Sequence, residues 1–133
     1  MPQKYKILLV EDDEFVSKAY RYFLMQAGYK VFMARNVREA REFMRKESPD
    51  IVLLDLIMPG CNGFEFLEEL HDNGITEKIP IMIISNLGQE ADIAECTRLG
   101  AADYLVKSNF FMKEIIEKVR FHLERKQSTA PVH

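Results

Sequence analysis

Four apolar runs, each ending in a polar residue, constrain this chain more than any other feature. Ile7-Leu8-Leu9-Val10 runs into Glu11-Asp12-Asp13, Ile51-Val52-Leu53-Leu54 into Asp55, Ile81-Met82-Ile83-Ile84 into Ser85, and Tyr104-Leu105-Val106 into Lys107. Apolar runs this short, bounded by turn residues, predict strands buried on both faces, as in a parallel sheet. Helix-like segments alternate with them, which is the pattern of a doubly wound α/β domain. In such sheets ligands bind just beyond the carboxyl ends of the strands. The chain therefore sets carboxylates, a hydroxyl and an ammonium where a binding site belongs.

The rest of the chain supplies the connections. The first strand is expected at about residues 5–10, followed by a helix near 14–27 that Gly28 ends in a left-handed conformation. Val31-Phe32-Met33-Ala34 is a shorter, less apolar strand suited to an edge. Asn36 with Glu39 three residues later predicts a capping box opening a helix to about Glu47. Ser48-Pro49-Asp50 breaks it, Met58 to Gly63 reads as a loop, and a helix then runs to about Asp72. Asn73-Gly74 is a turn, a strand follows Pro80, and a helix over roughly 88–99 stops at Gly100. A fifth strand lies at about 102–106, and a last helix at about 111–125 with a stripe of Met112, Ile116, Val119 and Leu123. One domain over 4–126 is expected, with 127–133 as a short polar tail or the start of a linker.

Composition removes several alternatives. A formal net charge of −3 gives no reason to expect direct nucleic-acid binding. Cys61 and Cys96 are too few and too far apart for a disulfide framework or a zinc motif. No signal-peptide pattern and no membrane-length apolar run are present, so the expected location is cytoplasmic. His71, His122 and His133 show no ligand spacing and receive no role. Arg38, Arg41 and Arg45, with Glu42 among them, read as a solvated helix face. Phe110 and Phe121 fall off the last helix's stripe, so partial packing is the default and exposure there would mark a partner surface.

Neighbouring strands lie about 4.8 Å apart, so groups at adjacent strand ends can share one ion. If the first and third strands are neighbours, Glu11, Asp12 and Asp55 converge, and three carboxylates repel unless a cation or proton sits among them. An oxygen-only set in an open pocket favours Mg2+, with Mn2+ as a substitute. Asp55 is then a nucleophile for phosphorus, forming an acyl phosphate. The metal, Lys107 and the Ser85 hydroxyl would each neutralise or bind one phosphoryl oxygen. Asp13 is left as a helix cap.

These residues resemble the receiver domains of two-component response regulators over about residues 4–126. The resemblance rests on Glu11-Asp12, on Asp55 followed by Met58-Pro59-Gly60, on Ser85 and on Lys107. It implies a five-stranded parallel sheet of order 2-1-3-4-5, and Asp55 as the phosphoacceptor, charged by a histidine kinase or a small phosphodonor. It implies Asp12 and Asp55 as direct Mg2+ ligands, Glu11 acting mostly through water, and the backbone carbonyl of Ile57 completing the protein's share. Ser85 resembles the switch hydroxyl and Tyr104 the switch aromatic. The fourth helix, fifth strand and fifth helix form the family's output face, which would bind a downstream protein or a second copy of the chain.

One residue departs from the family pattern: Ser108 follows Lys107 where proline is usual. A cis bond before a non-proline residue costs about 2.5–4 kcal/mol, so either a trans bond or a strained cis bond is expected. The flanking positions Ile57 and Leu87 are both apolar and cannot orient a water, which predicts slow self-dephosphorylation. Competing readings are a phosphorelay carrier or phosphate sink passing its group to a histidine phosphotransfer protein, an aspartate-based hydrolase, and a degenerate docking module. The hydrolase lacks a second aspartate two residues after Asp55, and the intact acidic, hydroxyl and lysine set argues against the docking module.

Overall fold

The computed structural model describes residues 4–58, 61–107 and 112–128, apart from the side chains of Cys61 and residues 126–128. Its elements are β1 (Lys6–Val10), α1 (Glu14–Gln26), β2 (Lys30–Ala34), α2 (Val37–Glu47), β3 (Ile51–Leu54), β4 (Ile57–Met58) and β5 (Cys61–Asn62). They continue with α3 (Gly63–Asp72), a 3-10 turn (Ile75–Glu77), β6 (Ile81–Ser85), α4 (Glu90–Arg98), β7 (Asp103–Val106) and α5 (Met112–Ser128). Five strands form one parallel sheet in the order β2-β1-β3-β6-β7. Counting only these five strands, that is the order 2-1-3-4-5 expected from the resemblance.

Alternation along each buried strand divides the core in two. Leu8, Val10, Val52, Leu54 and Ile83 pack with Ala40, Phe66, Leu67, Leu70 and Cys96 from α2, α3 and α4. Ile7, Leu9, Ile51, Leu53, Met82, Ile84 and Leu105 pack with Leu24, Ile115, Val119 and Leu123 from α1 and α5. No described helix is long and apolar enough to cross a membrane.

Local signals explain where helices begin and end. The Asp13 side chain accepts from Val16 N–H at 3.1 Å and caps α1, as expected. Asn36 caps α2 by accepting from Glu39 N–H at 2.9 Å, and Glu39 Oε1 in turn accepts from Arg35 N–H at 2.9 Å. The reciprocal bond therefore reaches one residue further back than in the usual capping box. Gly28 sits past the end of α1 with φ +100°. Arg41 is more than a solvated residue: its guanidinium forks onto Glu69 of α3, with contacts of 2.7 and 2.9 Å.

Three sequence expectations change. The segment after Asp55 is not simply a loop, because Ile57 pairs with Asn62 and Met58 with Cys61 as an antiparallel hairpin. On α5 the buried positions are Ile115, Val119, His122 and Leu123, while Met112 and Ile116 are only half-buried. The stripe is rotated toward i, i+4, i+7 from Ile115, because that face meets the sheet. The same helix runs through Ser128, so residues 127 and 128 extend it; residues 129–133 lie outside those described.

Gly63 shows how tightly α3 is set against the strand end. A Cβ there would lie 2.5 Å from Leu56 Cα and 2.8 Å from the Asp55 carbonyl oxygen. Backbone atoms cannot yield as a flexible side chain would, so Gly63→Ala should destabilise the fold by about 1–3 kcal/mol, the usual cost of overpacking. Urea unfolding of the two proteins checks this, and an unchanged midpoint would contradict the close approach.

Candidate phosphoacceptor and metal site

β1 and β3 run side by side in register, with Val10 opposite Leu54. Their following residues therefore leave the sheet at the same level. The ladder continues one bond beyond each strand, with Asp55 N–H donating to the Val10 carbonyl and Glu11 N–H to the Ala34 carbonyl, each at 3.0 Å. Glu11, Asp12 and Asp55 each turn a carboxylate oxygen to a common point, within 4.8 Å of one another. Glu11 is 2% and Asp55 7% exposed, while Asp12 is half-buried and faces the opening.

Lys107, leaving β7 at the same end of the sheet, closes the far side. Its ammonium donates to Glu11 Oε1 and to Asp55 Oδ2, the latter at 3.3 Å. The other Asp55 oxygen accepts from Ile57 N–H at 3.2 Å, and Glu11 Oε2 accepts from Asp13 N–H at 3.2 Å. Burial pushes the Glu11 carboxyl above its usual range, and the neighbouring Asp55 adds to this against the opposing pull of Lys107. Burial works against the Lys107 ammonium too, but Glu11 and Asp55 outweigh it and its pKa rises.

Ser85 ends β6, is fully buried, and accepts from Leu87 N–H at 3.2 Å. Tyr104, half-buried on β7, donates its hydroxyl to the Leu87 carbonyl at 2.5 Å. Burial is the main cause that pushes the Tyr104 hydroxyl up to about 12; Cys96 adds to this and the nearby Ser85 hydroxyl opposes it. The tyrosine, the serine and the Leu87 backbone thus meet on one side of the pocket. The Ile57 side chain is 54% exposed at the rim.

The structure brings Glu11, Asp12, Asp55 and Lys107 into one cluster, and Ser85 and Tyr104 together at the Leu87 backbone. The Lys107–Ser108 bond and Phe110 lie outside the described residues. Phe121 is 53% exposed, more open than the partial packing expected by default. Sequence reasoning missed His122, which is 7% exposed and lies 2.9 Å from Asp103 Oδ2 on β7. Its position three residues after Val119, on the buried face, was the available signal. It missed Gly63 as well, since close backbone approach leaves no trace in hydropathy.

The donor set fits a small divalent cation. All the offered atoms are oxygens, the pocket is net negative with one ammonium against three carboxylates, and Asp12 keeps an open side. Mg2+ should therefore raise the melting temperature by binding the native chain alone, and Asp12→Ala should abolish the rise; calorimetry with and without chelator reads this. In chelator, the raised Glu11 pKa favours the folded state most where Glu11 is protonated, and that contribution is lost as pH rises through the folded pKa. The stability difference between wild type and Glu11→Gln should thus move in the wild type's favour as pH falls from about 7 to about 5, approaching the unfolded glutamate pKa near 4.3.

Comparisons with known proteins identify the family and the fold. The family model described as "Response regulator receiver domain" matches residues 7–120. The protein PilH of Pseudomonas aeruginosa is 36% identical over 102 residues, covering 77% of this chain and 84% of that one. The probable transcriptional regulator ycf27 of Porphyra purpurea is 36% identical over 123 residues, 92% of this chain but 49% of its own, so this chain spans about half its length. A CheY-like receiver domain from Methanospirillum hungatei superposes with a TM-score of 0.88 over 96% of this chain and 100% of that one, at 21% identity, which speaks to the fold alone. Matched by the family model along most of its length, the chain belongs to the response regulator receiver domains of two-component signalling.

Proposed function

We propose that Asp55 accepts a phosphoryl group from a phosphohistidine or a small acyl phosphate, and that the change alters which proteins bind the α4-β7-α5 face. The observation that carries this is the place of Asp55: a buried carboxylate held between the Lys107 ammonium and the Glu11–Asp12 pair at the carboxyl end of the sheet. An Asp55 carboxylate oxygen forms the new bond to phosphorus. The bond from phosphorus to the donor's nitrogen or oxygen breaks, and its electron pair leaves with the imidazole or carboxylate. Lys107 already contacts an Asp55 oxygen and is placed to pair with an equatorial phosphoryl oxygen. The buried Ser85 hydroxyl can turn to donate to another. Mg2+, held by Asp12, Asp55 and the Ile57 carbonyl, with Glu11 through water, would neutralise charge on the transferring group.

Movement of Ser85 toward a phosphoryl group would release the Leu87 N–H it now accepts from, and Leu87 also holds the Tyr104 hydroxyl. A local electrostatic event thus reaches the aromatic of β7 and the start of α4. The chain itself acts as a signalling switch rather than as a turnover enzyme, catalysing only its own phosphorylation and dephosphorylation. Its partners on this reading are a histidine kinase or histidine phosphotransfer protein and a downstream protein target, with location in the cytoplasm.

Acetyl phosphate with Mg2+ should give one phosphate adduct by intact mass, absent in Asp55→Asn and without metal. Lys107→Ala should slow its formation by about 100-fold or more, the scale of losing one oxyanion donor. Failure of both acetyl phosphate and a beryllofluoride mimic to engage wild type would remove this reading. The exposed Ile57 side chain and apolar Leu87 offer no group to position a water, so the adduct should persist for minutes or longer. A lifetime of seconds would contradict that second point alone.

A further inference from the structure

β7 is an edge strand of the sheet, so its position depends on the helices above and below it. Successive strand residues point to opposite faces. Tyr104 packs on the side of α2, α3 and α4, and Asp103 lies on the side of α5. The Asp103 carboxylate is occupied on both oxygens. Oδ2 lies 2.9 Å from His122 Nε2 and 3.6 Å from Lys118 Nζ, both on α5. Oδ1 accepts the Tyr104 N–H at 2.9 Å. Burial alone would raise the Asp103 pKa, but His122, the Tyr104 N–H and Lys118 outweigh it and hold the carboxyl below its usual range.

His122 is 7% exposed, with the Phe121 ring edge-on at 5.1 Å. Losing the bond would leave the buried His122 nitrogen without its carboxylate, while Asp103 would keep the Tyr104 N–H and Lys118. On the opposite face the Tyr104 hydroxyl donates to the Leu87 carbonyl, and Leu87 N–H donates to Ser85 Oγ. Polar contacts therefore hold Tyr104 at both ends: its backbone N–H to Asp103 and so to α5, and its hydroxyl to Leu87 and so to Ser85.

We infer that Asp103 and His122 are positioning residues that clamp β7 to α5 and so seat the Tyr104 hydroxyl on the Leu87–Ser85 segment. This inference rests on the proposed function for its consequence, though not for its geometry. A change that draws Lys118 or His122 from Asp103 would therefore change how long the Asp55 phosphoryl group survives.

The test begins with the unmodified full chain, labelled with 13C at the tyrosine ζ-carbon. Five tyrosines give five signals, and Tyr104→Phe assigns the one needed. His122→Leu keeps the volume and removes the donor, while His122→Gln keeps an N–H donor. The Leu variant and Asp103→Asn should move the Tyr104 signal, and His122→Gln should leave it near the wild-type position. An unmoved Tyr104 signal in the Leu and Asn variants would overturn the clamp. Should His122→Leu lose the dispersed amide spectrum of a folded chain, Asp103→Asn and the more exposed Lys118→Gln decide the matter in the same way.

The second readout is adduct lifetime after acetyl phosphate treatment. His122→Leu should change it by about threefold or more, within the range of coupling for groups in one network. That change should vanish when Tyr104→Phe is also present, whereas a purely packing role for His122 would persist in the double variant and overturn the inference. If wild type engages neither acetyl phosphate nor beryllofluoride while the Tyr104 signal still responds to His122→Leu, the phosphoacceptor reading fails and the clamp stands.

Discussion

Parallel pairing of β1 with β3 is the constraint on which the site depends. Ile7 lies opposite Ile51 and Val10 opposite Leu54, so Glu11 and Asp55 emerge together. A slip of one residue would turn every core side chain of a strand to the wrong face. The Leu8, Val10, Val52 and Leu54 layer on one side and the Ile7, Leu9, Ile51 and Leu53 layer on the other both resist such a slip. Core packing therefore sets the distance between two carboxylates that contribute nothing to the core themselves.

The site works against folding to a degree. Two carboxylates are nearly removed from water and share the Lys107 ammonium, and the half-buried Asp12 carboxylate lies beside them. The raised Glu11 pKa is the physical sign of that burial, to which the neighbouring Asp55 adds. Carboxylates gathered in this way suit a small divalent cation. Backbone donors help to hold the carboxylates, since the Ile57 and Asp13 N–H groups each fix one carboxylate oxygen in place. Gly63 lets α3 approach the Asp55–Leu56 backbone, and the β4–β5 hairpin carries the chain around it.

On the far side of the sheet a few short contacts join chemistry to surface. Tyr104 and Asp103 are adjacent, yet one reaches the Ser85 segment and the other α5. β7 is thus an edge strand held from both helix layers by its own side chains.

Much of this was legible in the chain itself. Apolar runs set off by Gly28, Asn36, Pro80 and Gly100 determined the order of strands and helices, because burial on both faces and helix termination are local demands. The polar residues at the four strand ends determined the chemistry on offer, and their joint spacing supported the family resemblance. Tertiary structure alone decided which ends meet. Strand order and register follow from packing between segments far apart in sequence, so the Lys107 ammonium on Glu11 and Asp55 could be expected but not shown. The same holds for the burial of His122 beside Asp103, for the rotation of the α5 stripe toward Ile115, and for the clash that keeps Gly63 a glycine. Each depends on the angle at which one element lies on another, and hydropathy along a single chain carries no record of that angle.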